Sequence, residues 1–152
     1  MKANAILSPC RTYRYELTRE WDKGPAVLFV GLNPSTADET TDDPTIRRCL
    51  AFAKAWGYGR LYMANLFAYR ATSPQDMFVA DDPVGRDNDK HLRARAKSVD
   101  LTIAAWGVHG TFRGRDAEVR KMLPRLHYLR LTKDGHPGHP LYLPRHLRPS
   151  PW

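Results

Sequence analysis

Polar residues able to orient water or to donate hydrogen bonds follow directly on the apolar runs of this sequence. Each such segment stands where an apolar run rich in strand-forming residues ends. They are Gly31-Leu32-Asn33-Pro34-Ser35 after Val27–Val30, Asn65 after Leu61–Ala64, Trp106-Gly107 after Leu101–Ala105, and Gly135-His136-Pro137-Gly138-His139-Pro140-Leu141 after Leu126–Leu131. Asn amides donate and accept hydrogen bonds, and a His can stabilise a developing anion. We therefore expect a polar site where these segments meet.

The elements that must position these segments alternate between strand and helix. Apolar residues with helical spacing predict a first helix from about Asp43 to Gly57, and further helices over 88–99 and 115–123. The alternation predicts a three-layer α/β/α domain with a central four-stranded parallel sheet. Parallel strands all open on one edge, so the four polar segments meet there. We expect a single domain over 1–152, with residues 1–22 forming an N-terminal hairpin or arm.

An acidic loop precedes the first predicted helix. It contains Asp38, Glu39, Asp42 and Asp43. Asp43 can act as a water-activating carboxylate. Alternatively, Asp42 or Asp43 can cap the helix while Arg47 and Arg48 pair with the other acids. Clustered carboxylates also suit Mg²⁺. Both the catalytic and the capping interpretation stay open, and we expect neither a metal nor a cofactor.

Composition narrows the class of partner. The chain has 152 residues and a net charge of +8, with Lys+Arg 24 against Asp+Glu 16. Such a basic surplus favours an acidic partner, and nucleic acid is the commonest. The apolar runs are too short for a membrane helix or a signal peptide, and two cysteines fit a reducing compartment. We expect a cytoplasmic monomer that does not bind membranes.

The sequence resembles an uncharacterised bacterial and phage family of unassigned function. The resemblance rests on SPC..YRY near the start, on LNPSTAD..TDDPTIRR, and on TK.G.P.HPLYL near the end. It covers nearly the whole chain. No established role for the TDDPTIRR segment comes with it.

The order of the four polar segments also resembles that of the uracil-DNA glycosylase superfamily. Gly31-Leu32-Asn33-Pro34 is similar to its G-x-N-P motif, whose amide positions the attacking water. Asn65 matches the Asn that reads the flipped base, and Trp106-Gly107 matches a W-G motif. His139-Pro140-Leu141 resembles its final motif, in which His stabilises the leaving base and Leu wedges into the duplex. The chain departs from the superfamily in lacking Ser after His-Pro, and His136-Pro137 is a competing match.

The second resemblance implies a uracil-DNA glycosylase-like fold and a DNA glycosylase of base-excision repair. Such an enzyme hydrolyses the N-glycosidic bond of a flipped, uracil-like, deaminated or modified base in DNA, and single-stranded DNA is among the expected substrates. Asn33, His139 and Asp43 are the candidate catalytic residues. The base-binding candidates are Gly31, Leu32, Pro34, Ser35, Asn65, Trp106, Gly107 and His136, and the DNA-binding candidates are Arg47, Arg48, Lys133 and Leu141. Phe52 and Phe67 are candidates for stacking on the base. A non-catalytic base-binding module of the same fold and a hydrolase of free nucleotides remain alternatives.

Overall fold

The central strand of the sheet, β3 (Ala26–Gly31), is buried on both faces and lies between two parallel neighbours. These neighbours are β4 (Arg60–Asn65) and β5 (Leu101–Ala104). The computed structural model describes residues 1–152, and four more strands belong to the same sheet. They are β1 (Lys2–Leu7), β2 (Arg14–Glu20), β6 (Leu126–Tyr128) and β7 (Ser150–Pro151), and the spatial order is β1-β2-β4-β3-β5-β6-β7.

The prediction of a central four-stranded parallel sheet of the glycosylase type is wrong, because the sheet is seven-stranded and mixed. Strand β2 pairs antiparallel with β4, and β1 pairs antiparallel with β2. At the other edge, the two residues of β7 pair antiparallel with β6. An edge strand exposes unpaired backbone groups. The two ends of the chain supply partners for these groups, and they extend the sheet at both edges.

Four helices pack against the sheet. They are α1 (Pro44–Ala55), α2 (Pro74–Phe78), α3 (Asn88–Ser98) and α4 (Arg115–Met122), with 3-10 segments at Val108–Gly114 and Pro140–Tyr142. Helix α1 begins with Asp43, whose Oδ1 accepts a hydrogen bond from the Ile46 N–H at 2.9 Å. Pro44 follows at the first helical position, where its missing N–H costs nothing. None of the helices has the length and apolar character that a membrane crossing requires.

The core is divided by the sheet into two layers. Val27 and Phe29 of β3 pack with α1, while Leu28 and Val30 pack on the other face with Leu92 of α3 and Val119 of α4. Alternate residues of a strand point to opposite faces, so β3 contributes to both layers. This double burial fixes the position of the Gly31 end of β3, where the polar segments begin.

Candidate functional site

A cleft of about 660 Å³ opens at the carboxyl ends of the parallel strands. Segments from all four predicted strand ends reach it. The candidate residues that line it are Gly31, Leu32, Asn33, Pro34, Ser35, Asp43, Asn65, Trp106, Gly107, His139 and Leu141. Its volume lies within the range of small-molecule sites, which is roughly 300–1,000 Å³. The fold therefore brings together side chains that are far apart in sequence.

Asn65 forms part of the buried floor of this cleft. It is the last residue of β4, it lies opposite Gly31 in the parallel register, and only 3% of it is exposed. Its Nδ2 group is buried and has no hydrogen-bond partner. A Cβ atom at Gly31 would lie 2.8 Å from the Asn65 Oδ1, so glycine leaves room for the amide. A buried donor without a partner is costly, and Asn65 is a lining residue of the cleft in which this cost arises.

Asn33 has its amide oriented by the backbone. Its Nδ2 donates to the carbonyl oxygens of Pro34, at 3.1 Å, and of Ala71, at 3.0 Å. With both N–H groups engaged, the Oδ1 is left as the acceptor of the side chain. Asn33 therefore presents an oxygen of defined orientation that can accept a hydrogen bond from water.

His139 lies on the 138–143 wall of the cleft and precedes the second 3-10 segment. Its Nδ1 accepts a hydrogen bond from the Leu141 N–H at 3.2 Å. In the neutral ring this bond places the proton on Nε2, which is then a donor. Desolvation lowers the pKa of His139 below its ordinary value, and the nearby charge of Asp43 partly opposes that shift. The ring is therefore a neutral donor at neutral pH.

The carboxylates of the acidic loop are used within the loop and at the start of α1. Asp43 accepts from the N–H groups of Ile46 and Ala37, so it is the helix cap. Asp38 accepts from the backbone of Thr40 and Thr41, and these bonds hold its pKa below the usual value. Asp42 and Glu39 form ion pairs with Arg19 and Arg11, each at 2.8 Å. No group of three His, Cys, Asp or Glu residues is arranged to hold a metal ion. Asp43 is the only acid that lines the cleft.

Four predicted site residues lie outside the cleft: His136, Arg47, Arg48 and Lys133. Arg48 donates to the Leu143 carbonyl and stacks on Phe52, and Arg47 donates to the Asp42 carbonyl, so neither pairs with a carboxylate of the acidic loop. Lys133 is exposed on the last loop. Of the two competing histidines, only His139 reaches the cleft. The two phenylalanines considered for stacking are buried in opposite core layers, so neither can stack on a ligand in the cleft.

Arg14 is the charged cleft residue that sequence reasoning missed. It lies in β2, is 2% exposed, and lines the cleft. Its Nη1 donates to the Ala37 carbonyl at 2.9 Å, and its Nε has no partner. Burial lowers the pKa of Arg14 to about 10, with Asp43 partly opposing the shift. The sequence predicted only a hairpin or arm over residues 1–22, and nothing in the local pattern shows that β2 is an interior strand of the sheet.

Apolar side chains form the rim of the cleft. Val108, Leu141 and Tyr142 are exposed although they are large, and Tyr142 reaches 84% exposure. The rings of Tyr142 and His139 lie 5.6 Å apart, so the aromatic rim stands beside the donor of the site. A mostly apolar lining with a few placed polar groups is typical of ligand-binding clefts.

A family model described as "Protein of unknown function (DUF1643)" matches residues 14–141. The chain belongs to this family. The prediction of membership in a family of unassigned function is thereby confirmed. The matched residues of the DUF1643 family run from Arg14 to Leu141 and include most of the cleft. No curated protein and no solved structure matches the chain significantly.

Proposed function

We propose that the cleft binds a nucleobase in DNA and that the protein hydrolyses the N-glycosidic bond of that base. The observation that carries the proposal is the pairing of two unused donors in one cleft. These are the buried Nδ2 of Asn65, which has no partner, and the Nε2–H of His139. A nucleobase edge offers the acceptors that both donors lack.

Asn65 supplies base recognition. An amide carries a donor and an acceptor, which together complement one pyrimidine edge and not another. Its burial on the cleft floor removes competing water, so each hydrogen bond to the ligand is strengthened. A base that left the Nδ2 unpaired would bind poorly, because the cost of an unsatisfied group would remain.

His139 stabilises the leaving group. Breaking an N-glycosidic bond leaves an oxocarbenium-like sugar and negative charge on the departing base, as in glycoside hydrolysis. The Nε2–H of a neutral imidazole donates a hydrogen bond to the base oxygen as that charge develops. The Leu141 N–H holds the opposite nitrogen, so the donor is oriented before the reaction begins.

Asn33 orients the attacking water through its free Oδ1, since its Nδ2 is held by two backbone carbonyls. An amide is a poor base, so Asn33 positions water without activating it strongly. Asp43, which lines the same cleft, retains lone pairs beyond those engaged in capping and can take the proton from that water. The rim residue Leu141 and the exposed basic residues Arg47 and Lys133 are the proposed contacts to the DNA strand.

The proposal is tested by strand cleavage of labelled oligonucleotides carrying uracil, hypoxanthine, xanthine or modified pyrimidines. Alkali reveals abasic sites, and single and double strands are compared. His139→Ala is expected to lower the rate about 10²- to 10³-fold, the usual effect of removing one oxyanion donor. Asn33→Ala and Asp43→Ala also lower it, while His146→Ala, at an exposed position outside the cleft, is the matched control.

Absence of cleavage on every base, together with salt-sensitive binding of the same oligonucleotides, contradicts the enzymatic proposal and favours the binding module. A second candidate function, hydrolysis of a free nucleotide, is favoured by the buried guanidinium of Arg14 in the cleft. That activity depends little on DNA length and has a shallow salt dependence. Nucleoside monophosphates are therefore assayed beside the oligonucleotides.

A further inference from the structure

We propose that Arg14 forms a phosphate-binding subsite within the cleft. The subsite goes beyond the proposed glycosidic cleavage and does not require it, because anion binding is measurable without any reaction. Its ligand is a phosphate oxygen group. This group is either the phosphate of a free nucleotide or a phosphodiester of the DNA strand that carries the bound base.

Three arginines of this protein are equally buried, and only Arg14 lacks a carboxylate partner. Arg19 pairs with Asp42 and donates to several backbone carbonyls. Arg115 pairs with Asp89 and Glu118. Arg14 forms no salt bridge, and its one side-chain hydrogen bond goes to Ala37. A buried charge is costly unless it is paired and hydrogen-bonded. Arg19 and Arg115 both have a carboxylate partner, whereas the buried charge of Arg14 has none within the chain.

The unused donors of Arg14 belong to a cleft that supplies further donors. The side-chain hydroxyls of Ser35, Thr36, Thr45 and Thr72 line it and form no hydrogen bond within the chain. A guanidinium fork binds phosphate oxygens in two parallel hydrogen bonds, and hydroxyls commonly complete such a site. The cleft that contains the unpaired guanidinium thus also contains four free hydroxyls that can donate to phosphate oxygens.

Asp43 is the only negative charge in the cleft, and it does not occupy the Arg14 donors. Its Oδ1 accepts from Ile46 at 2.9 Å and its Oδ2 from Ala37 at 3.4 Å. Its carboxylate lies beyond 4.0 Å from the guanidinium, since no salt bridge joins them. Asp43 lowers the positive potential at Arg14 but leaves the guanidinium donors free for a ligand. A neutral carbonyl could accept the hydrogen bonds, but it would leave the buried charge unpaired.

The test compares ligands that differ only in a phosphate. Binding of 2′-deoxyuridine, its 5′-monophosphate and inorganic phosphate is measured by calorimetry at matched ionic strength, with a single-stranded oligonucleotide as a further arm. The monophosphate is expected to bind roughly 10- to 100-fold more tightly than the nucleoside, the range of charge-assisted hydrogen bonds. Tight binding of the monophosphate indicates a free nucleotide; tight binding of the oligonucleotide alone indicates the DNA backbone.

Arg14→Gln is expected to abolish the difference between nucleoside and nucleotide. Arg70→Gln is the matched control, because Arg70 acts on Arg14 through its charge but lies outside the cleft, and it is expected to preserve most of that difference. Circular dichroism checks that each variant is folded. If Arg14→Gln does not fold, Arg14→Lys replaces it and is expected to retain only part of the difference, because an ammonium cannot form the bidentate contact.

Equal affinity of wild type for the nucleoside, the monophosphate and the oligonucleotide would overturn the subsite, as would a folded Arg14→Gln that keeps the preference for the phosphate-bearing ligand. Absence of base release in the oligonucleotide assay, with phosphate binding intact, overturns the proposed cleavage and leaves the subsite standing. Base release by a protein that shows no phosphate preference supports the proposed cleavage and overturns the subsite.

Discussion

Replacing Asn65 with leucine should stabilise this protein and eliminate its ligand binding. The Nδ2 of Asn65 is buried without a partner in the free protein. An unsatisfied buried group costs about 1–3 kcal/mol. Leucine has a similar branched shape and removes the polar group. After a deduction for imperfect packing, we expect Asn65→Leu to raise the free energy of unfolding by about 1 kcal/mol.

Asn88 provides the matched control for this substitution. It is also fully buried, but its Nδ2 donates to the carbonyls of Asn65, at 2.9 Å, and Leu66, at 3.1 Å. Asn88→Leu removes both of these bonds; the Leu66 carbonyl keeps the Arg115 Nε donor at 2.8 Å, and the buried Asn88 Oδ1, which has no partner, is removed as well. The loss of the donor to the Asn65 carbonyl is the largest remaining cost, and we expect the substitution to lower the free energy of unfolding by about 1–2 kcal/mol. Two buried asparagines thus have predicted effects of opposite sign.

Urea denaturation followed by circular dichroism measures both variants against wild type. For a chain of this size each kcal/mol shifts the melting temperature by about 2–4 °C, so thermal melts provide a second reading. Equal destabilisation by Asn65→Leu and Asn88→Leu would refute the reasoning, because it would mean that the Asn65 amide is a structural group. If Asn65→Leu is stabilised but still binds nucleotide as wild type does, only the claim that this amide binds the ligand is refuted.

The remaining predictions concern the cap, the histidine and the free thiols. Asp43→Ala removes the N-cap of α1 and should lower the free energy of unfolding by about 1–2 kcal/mol in urea melts. The folded-state pKa of His139 lies below 6.5, so wild-type stability should fall as the pH drops from 6.5 through that lower value, and His139→Gln should lack this component. Asp43→Asn should lower the His139 pKa further in an NMR titration. Cys10, with a pKa lowered to about 7 chiefly by the Ser8 hydroxyl, should alkylate faster near neutral pH than the buried Cys49, whose pKa is raised.

Each of these has a contradicting result. An unchanged melting curve for Asp43→Ala would show that the cap is dispensable. A His139 pKa at or above 6.5 would remove the basis for a neutral donor. Ser8→Ala should raise the pH midpoint of Cys10 alkylation, and an unmoved midpoint would mean that another group lowers the pKa.

Local signals predicted the first helix and the polar segments that follow the strands. Asp43 and Pro44 specify the start of α1, and Ile46, Leu50 and Ala53 recur at the spacing of a buried helix face. Periodicity of this kind is encoded within a few residues. The prediction of α1 therefore did not depend on the rest of the fold.

The sheet edges and Arg14 depended on pairing between distant segments, which local patterns do not encode. The register of β2 on β4 joins residues 40 to 46 positions apart, and β7 has only two residues. Once β2 lies between β1 and β4, the Arg14 side chain is covered by the backbone around Ala37. A charged residue in a strand is ordinarily placed on the solvent side. The burial of Arg14 is therefore a tertiary effect.

The side-chain amide of Asn65 is the most direct reporter of base binding. In an NMR correlation spectrum of isotope-labelled protein, its Nδ2–H resonances are assigned by their loss in Asn65→Leu. Titration with an oligonucleotide whose base is bound should shift these resonances downfield, because the amide gains its first acceptor, while the Asn88 resonances stay in place. If the oligonucleotide binds to saturation and the Asn65 resonances do not move, the base does not contact this amide and the account is contradicted.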